Sequence, residues 1–251
     1  MQRINGFKGI GALLVLMIFI SCKSKNELDT EIHFVVTYQD QPLVAFETHE
    51  YPGGTSFYFT RFSFFIEDFQ LRNNERTVKL IDRAYINLSP ALNDATSAMI
   101  GTRVFTGKVE EGHYQLNLSV GVNEKENAKG PSGRSSRDPL SEGSEYWPAW
   151  NSYIFNRIEG WIDSNGDGQY TQGITLHLGG DEVYRTINVP GQVSIQDEFN
   201  SIKLVIALER IFGDTGEYYD LVNFSQLHSL HHLPQMIALS DRFEQCFTIG
   251  D

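Results

Sequence analysis

Apolar residues recur at every second position through much of this chain, the spacing that buries one face of a β-strand. IHFVVTY (Ile32 to Tyr38) and the aromatic run FYFTRFSFFIEDFQL (Phe57 to Leu71) both read as strands, the second long enough to hold a bulge. A PGG turn at Pro52 to Gly54 separates them, and Asn73-Asn74 ends the long strand. VKLIDRAYINL (Val78 to Leu88) returns, followed by TRVFTGKV (Thr102 to Val109) and HYQLNLSVGV (His113 to Val122), joined by EEG. Tyr114, Leu116, Leu118 and Val120 alternate cleanly, so one face of that strand is buried. Strand patterning resumes at YIFNRIEGWI (Tyr153 to Ile162), ITLHLG (Ile174 to Gly179), VYRTINV (Val183 to Val189) and SIKLVIAL (Ser201 to Leu208).

Only the C-terminal segment, Phe224 to Phe247, steps in a helical period, through Leu227, Leu230, Leu233, Ile237 and Phe243, with a break near Pro234. No internal repeat and no glycine-rich nucleotide fingerprint is present. The predicted fold is all-β, an antiparallel β-sandwich with a short C-terminal helical segment. One stretch departs from the pattern. EKENAKGPSGRSSRDPLSEGSE (Glu124 to Glu145) is almost devoid of apolar residues, and a loop of that length is either functional or mobile.

The first residues lie outside this fold. Arg3 and Lys8 precede IGALLVLMIFI (Ile10 to Ile20), then Ser21 and Cys22. A basic start, an apolar core of about 7–15 residues and a small residue before the break describe a secretory signal. The run falls short of the roughly 20 residues that span a bilayer. Cysteine directly after it points to lipidation at Cys22. The expected organisation is therefore residues 1–21 as a lipoprotein signal peptide, 22–30 as lipidated cysteine and tether, and 31–251 as a single domain. Lipid on Cys22 leaves Cys246 as the one remaining thiol and excludes an internal disulfide. The chain has 20 basic against 32 acidic residues and no basic patch, which argues against nucleic acid. Acidity suits cation binding and ordinary solubility equally.

Four groups of residues carry candidate chemistry. Trp147 and Trp150, in EYWPAWNSYIF, suit core packing, a platform for a ligand ring, or the lining of a metal site. DSNGDGQY places Asp163, Asn165 and Asp167 at alternate positions before Gly168, as in the first half of a calcium loop. The twelfth position is Ile174, not a glutamate, so a hairpin turn is the competing reading. LHSLHH spaces His228, His231 and His232 for one helical face, where neutral imidazoles could bind copper or zinc; exposed or capping histidines are the alternative. His177, in LHLGG, lies at a strand end opposite in facing to Leu176 and Leu178, a position that suits a structural histidine as well as a ligand. There is no G-x-S-x-G, and Cys246 has no recognisable activating neighbours, so catalysis by a nucleophile finds no support and no enzyme is expected.

Several segments together resemble the MbnP-like family of exported copper-binding proteins. They are RFSFFIEDFQL (Arg61 to Leu71), GHYQLNLSVGVNEKEN (Gly112 to Asn127), YWPAWNSYIFNRIEG (Tyr146 to Gly160) and TLHLGG (Thr175 to Gly180), in the family's order. The family commonly has W-x-W where this chain has Trp147-Pro148-Ala149-Trp150, and the cysteine pairs of one branch are absent. The resemblance implies copper bound through His177 and one or more of His228, His231 and His232, with Trp147 and Trp150 lining the site. It also implies a periplasmic or surface location on the outer membrane and a di-haem peroxidase-like cytochrome as partner, which oxidises a tryptophan near the metal. Two other functions fit the residues: a carbohydrate- or ligand-binding surface module with structural calcium, and a structural lipoprotein that has lost the metal.

Overall fold

A computed structural model describes residues 26–250 apart from 53, 214 and 215. The expected signal peptide and Cys22 lie outside the described residues. Eleven strands of three residues or more are used below. They are β1 (Glu27–Tyr38), β2 (Ser56–Arg72), β3 (Thr77–Asn87), β4 (Thr102–Glu110), β5 (Gly112–Val120) and β6 (Ser152–Asp163). The rest are β7 (Gln172–Gly179), β8 (Arg185–Asn188), β9 (Val193–Ile195), β10 (Phe199–Ala207) and β11 (Phe247–Ile249). The longest helix among the described residues is α1 (Leu233–Phe243); Ala95–Ile100, Glu124–Asn127 and Glu209–Phe212 form shorter ones.

Two sheets enclose the core. The smaller runs β11, β10, β1, β4. The larger is organised by β2, which pairs along one edge with β3 and along the other with β6 and then β5. Residues Ser56 to Phe64 face β6, and Ile66 to Arg72 face β5. One strand serves two partners because it is irregular twice: the register shifts between Phe59 and Arg61, and again around Asp68, whose φ is 49°. Such bulges bend a strand and increase its twist. β7 lies beyond β6, and β8 and β9 pair with β5.

The sandwich expected from the sequence is present, with mixed rather than purely antiparallel sheets. β1 and β10 pair in parallel from Asp29↔Phe199 to Thr37↔Ala207. Alternation reports which face is buried and carries no sign of strand direction. β1 also pairs with β4 from Glu27↔Glu110 onward, so strand β1 takes in residues 27–30, assigned to a tether by sequence.

Aromatic rings join the layers. Phe64 of β2 stacks on Phe34 of β1 at 5.8 Å and meets Phe243 of α1 edge-on at 5.7 Å. Phe247 of β11 closes the cluster against Phe34, Phe64 and Phe243. Helix α1 buries Met236, Leu239, Ser240 and Phe243, the i, i+3, i+4, i+7 stripe of an amphipathic helix. It starts at Leu233, so Pro234 occupies the first turn, where its missing N–H costs nothing; it opens the helix and does not break it.

The polar excursion 124–145 is ordered. Arg134 donates to the carbonyls of Glu126 and Gly130 and to the carboxylates of Glu126 and Asp138. Leu140 is fully buried and its carbonyl accepts from the Tyr153 hydroxyl. Asn127 accepts from the Tyr153 N–H and the Ser152 hydroxyl and donates to Asp181. Buried Glu67 receives Arg83 Nε at 2.5 Å and both nitrogens of Asn123, which fixes the start of the excursion on β2. A single apolar anchor and a set of hydrogen bonds hold this segment over the outer face of the larger sheet.

Phe64→Ala removes the ring that contacts both sheets and the helix, and is expected to cost about 3–5 kcal/mol. Urea denaturation should show a lower midpoint with an unchanged m-value; an unchanged midpoint would refute the bridging role.

Candidate metal site

Strand alternation sends Arg157, Glu159 and Trp161 to the outer face of β6, while Ile158 and Ile162 enter the core. Register then places partners beside them. His177 of β7 is opposite Arg157, and Arg61 of β2 is opposite Glu159. His177 Nε2 lies 2.8 Å from Glu159 Oε1. The imidazole is 6% exposed, and its Nδ1 is buried with no hydrogen-bond partner. An unpaired buried nitrogen costs about 1–3 kcal/mol, so this atom marks a place where a partner is wanted.

The two tryptophans arrive through a tight turn. Tyr146–Trp147 pairs with Ser152 and Tyr153 at the start of β6, and the Trp150 N–H donates to the Trp147 carbonyl at 3.1 Å. Trp147 and Trp150 are thus the first and fourth residues of a β-turn with Pro148 second, where its fixed φ is favourable. Two intervening residues are what such a turn needs to bring its ends together. The indoles stack at 5.0 Å with their planes 12° apart, half-buried and face to face, not spread as a flat platform. Gly179 permits this: a Cβ there would lie 2.7 Å from the Tyr153 carbonyl and 3.1 Å from the Trp150 ring.

Trp147 packs near two histidines. Its ring centroid is 6.0 Å from His177 and 6.4 Å from His228. The three C-terminal histidines do not share a helical face, because α1 begins after them. His228 follows the short strand Gln226–Leu227, which pairs in parallel with β7, and His231 and His232 form a 3-10 turn. His228 and His232 line one cleft with Gln172, Asn223, Phe224, Ser225 and Gln226; His228 and His231 are both exposed, and His232 is half-buried. Among the described residues no group of three or more His, Cys, Asp or Glu is gathered as a metal cluster.

Asp163, Asn165 and Asp167 form the tip of the β6–β7 hairpin. The Asp163 carboxylate accepts from the N–H groups of Gly166, Asp167 and Gly168, and Asn165 donates to Asp167. Those oxygens hold the backbone of their own turn, the hairpin role weighed against calcium.

Beneath the indoles lies a charge network that sequence reasoning missed. Glu145 is 1% exposed, with Arg61 Nη2 at 2.6 Å on one oxygen and Arg157 Nε at 3.0 Å from the other. The Tyr85 hydroxyl also donates to Glu145, and Arg157 donates to the Ser144 carbonyl at 2.9 Å. Arg157 Nη1 is 3.5 Å from Glu159 Oε1. Arginine and glutamate two residues apart in a strand, in NRIEG, were the available signal; their partners come from β2, β7 and the loop.

Burial lowers the His177 pKa from its ordinary 6.5, against the pull of Glu159, so the ring is held neutral. The hydrogen bond to His177 lowers the Glu159 pKa from 4.5, with burial opposing it. This is a neutral imidazole with a free lone pair, backed by an ionised carboxylate and lying near the Trp147 indole.

The fold and this cluster define a β-sandwich protein carrying a histidine–tryptophan site on the outer face of one sheet. The MbnP family model matches residues 27–231, a span that includes both tryptophans, His177 and His228, and the chain belongs to that family. The solved structure of MbnP from Methylosinus trichosporium is similar with a TM-score of 0.52, at 12% identity, covering 76% of this chain and 80% of that one. That likeness concerns the fold. No curated protein matches the chain.

The unfolded chain binds a proton at His177 below about pH 6.5, while the folded chain resists it, so stability falls as pH drops through that value. Glu159 acts in the same direction lower down, its contribution being lost below its ordinary 4.5. Urea midpoints of metal-free protein between pH 7.5 and 5 should therefore fall more steeply for the wild type than for His177→Gln. Equal slopes would exclude His177 as the group responsible.

Proposed function

We propose that this chain is an exported, non-enzymatic copper-binding lipoprotein. The observation that carries the reading is the His177 ring, neutral and buried with Nδ1 unpaired, with Trp147 packed near both it and His228. Membership of a family associated with copper handling supports copper as the metal. The donor set agrees: two imidazoles suit copper, and they fall short of the four ligands a structural zinc site takes.

His177 and His228 are the nitrogen donors in this reading, His177 buried and His228 exposed, with Trp147 beside both rings. Bound copper would supply one-electron redox chemistry beside an electron-rich indole. That juxtaposition suits a di-haem peroxidase-like cytochrome as the partner protein. Attachment to the outer membrane runs through lipid on Cys22. No described helix is long and apolar enough to cross a membrane. The excess of 32 acidic over 20 basic residues suits a cation-binding protein and leaves nucleic acid without a surface to bind.

Purified protein titrated with copper(I) should bind about one equivalent. His177→Ala is expected to abolish binding, and His228→Ala to weaken it at least about tenfold, by analogy with other losses at metal sites. Unchanged stoichiometry in His177→Ala would overturn the assignment. In cells, Cys22→Ser should move the protein from the membrane fraction to the soluble one; an unchanged distribution would exclude a lipid anchor at Cys22.

A further inference from the structure

We infer that Glu159 is the positioning residue of this site: it fixes the tautomer of His177 so that Nδ1, and not Nε2, is the metal-binding nitrogen. The inference rests on the copper reading for the identity of the metal, and on geometry alone for the tautomer. A neutral imidazole has one N–H and one lone pair, and the partner of one nitrogen decides the role of the other. Glu159 Oε1 is 2.8 Å from Nε2, and an ionised carboxylate can only accept, so Nε2 carries the proton. The lone pair is left on Nδ1, the buried atom with no hydrogen-bond partner.

The carboxylate is itself held. Arg157 Nη1 lies 3.5 Å from the same Oε1, and Arg157 is tied to the Ser144 carbonyl and to Glu145, directly before Tyr146 and Trp147. Arg61, paired in register with Glu159, grips Glu145 from the other side. The side chain that orients His177 is thereby connected to the segment that carries the indoles. His228 has no carboxylate on either ring nitrogen among the described contacts, so the two imidazoles are unequal: one oriented before the metal arrives, the other free to adjust.

Two-bond 1H–15N correlation spectra of the metal-free protein read this directly. The wild type should show His177 with a protonated Nε2 and an unprotonated Nδ1. In Glu159→Gln a carboxamide offers both a donor and an acceptor, so the preference should be lost, with both tautomers populated. Copper(I) affinity, measured by competition with a chromophoric chelator, should fall about 10–100-fold, the usual effect of removing a carboxylate behind a ligating histidine. A merely structural role for Glu159 would leave the tautomer unmoved. A protonated Nδ1 in the wild type, or a variant that keeps both the tautomer and the affinity, overturns the inference. A wild type with protonated Nε2 that binds no copper overturns the copper reading and leaves the tautomer assignment to Glu159 standing.

Discussion

A carboxylate taken out of water needs partners, and among the described residues buried Glu145 has two cations beside it, Arg61 and Arg157. Arg61 comes from the long central strand and Arg157 from its neighbour, so satisfying Glu145 brings the end of the polar excursion down onto the sheet. Tyr146 and Trp147 follow immediately, and the turn that ends in Trp150 is built from there. The position of both indoles thus descends from one buried ion-pair cluster. Arg157 serves a second time, 3.5 Å from the carboxylate that holds His177.

The same economy appears in the way the sheet meets its cover. Tyr153 points away from the sandwich core and is nonetheless buried, with the Leu140 carbonyl on its hydroxyl and the Tyr146 ring edge-on against it. Asn127 and Glu67 complete the attachment with hydrogen bonds from side chain to backbone and side chain to side chain. The result is a polar segment made rigid by satisfied polar groups, as expected where a buried donor or acceptor would otherwise be left alone.

The two indoles stack on each other, and Trp147 also lies near His177 and His228. The W-x-x-W spacing, which differs from the family's usual W-x-W, is accounted for by the β-turn, since i and i+3 are the residues that such a turn brings together. Gly179 completes the arrangement, as any side chain there would collide with the Tyr153 backbone and the Trp150 ring.

Much of the fold was legible in the residues alone. Period-two alternation located most of the strands within a few residues, and TLHLGG with the tryptophan pair pointed to the family, because local pattern and turn chemistry depend on near neighbours. His177 could be named as a candidate for the same reason. Glu159, Arg157, Arg61 and Glu145 could not, since a charged residue in a strand looks the same whether it meets water or a buried partner. The parallel pairing of β1 with β10 was equally hidden, alternation being blind to direction. The helical face imagined for His228, His231 and His232 dissolved because the helix starts one residue after them, with Pro234 in its first turn. The sequence by itself determined which residues face inward and where the chain turns. Only the tertiary structure decided which outward-facing residues meet, because that depends on register between strands far apart along the chain.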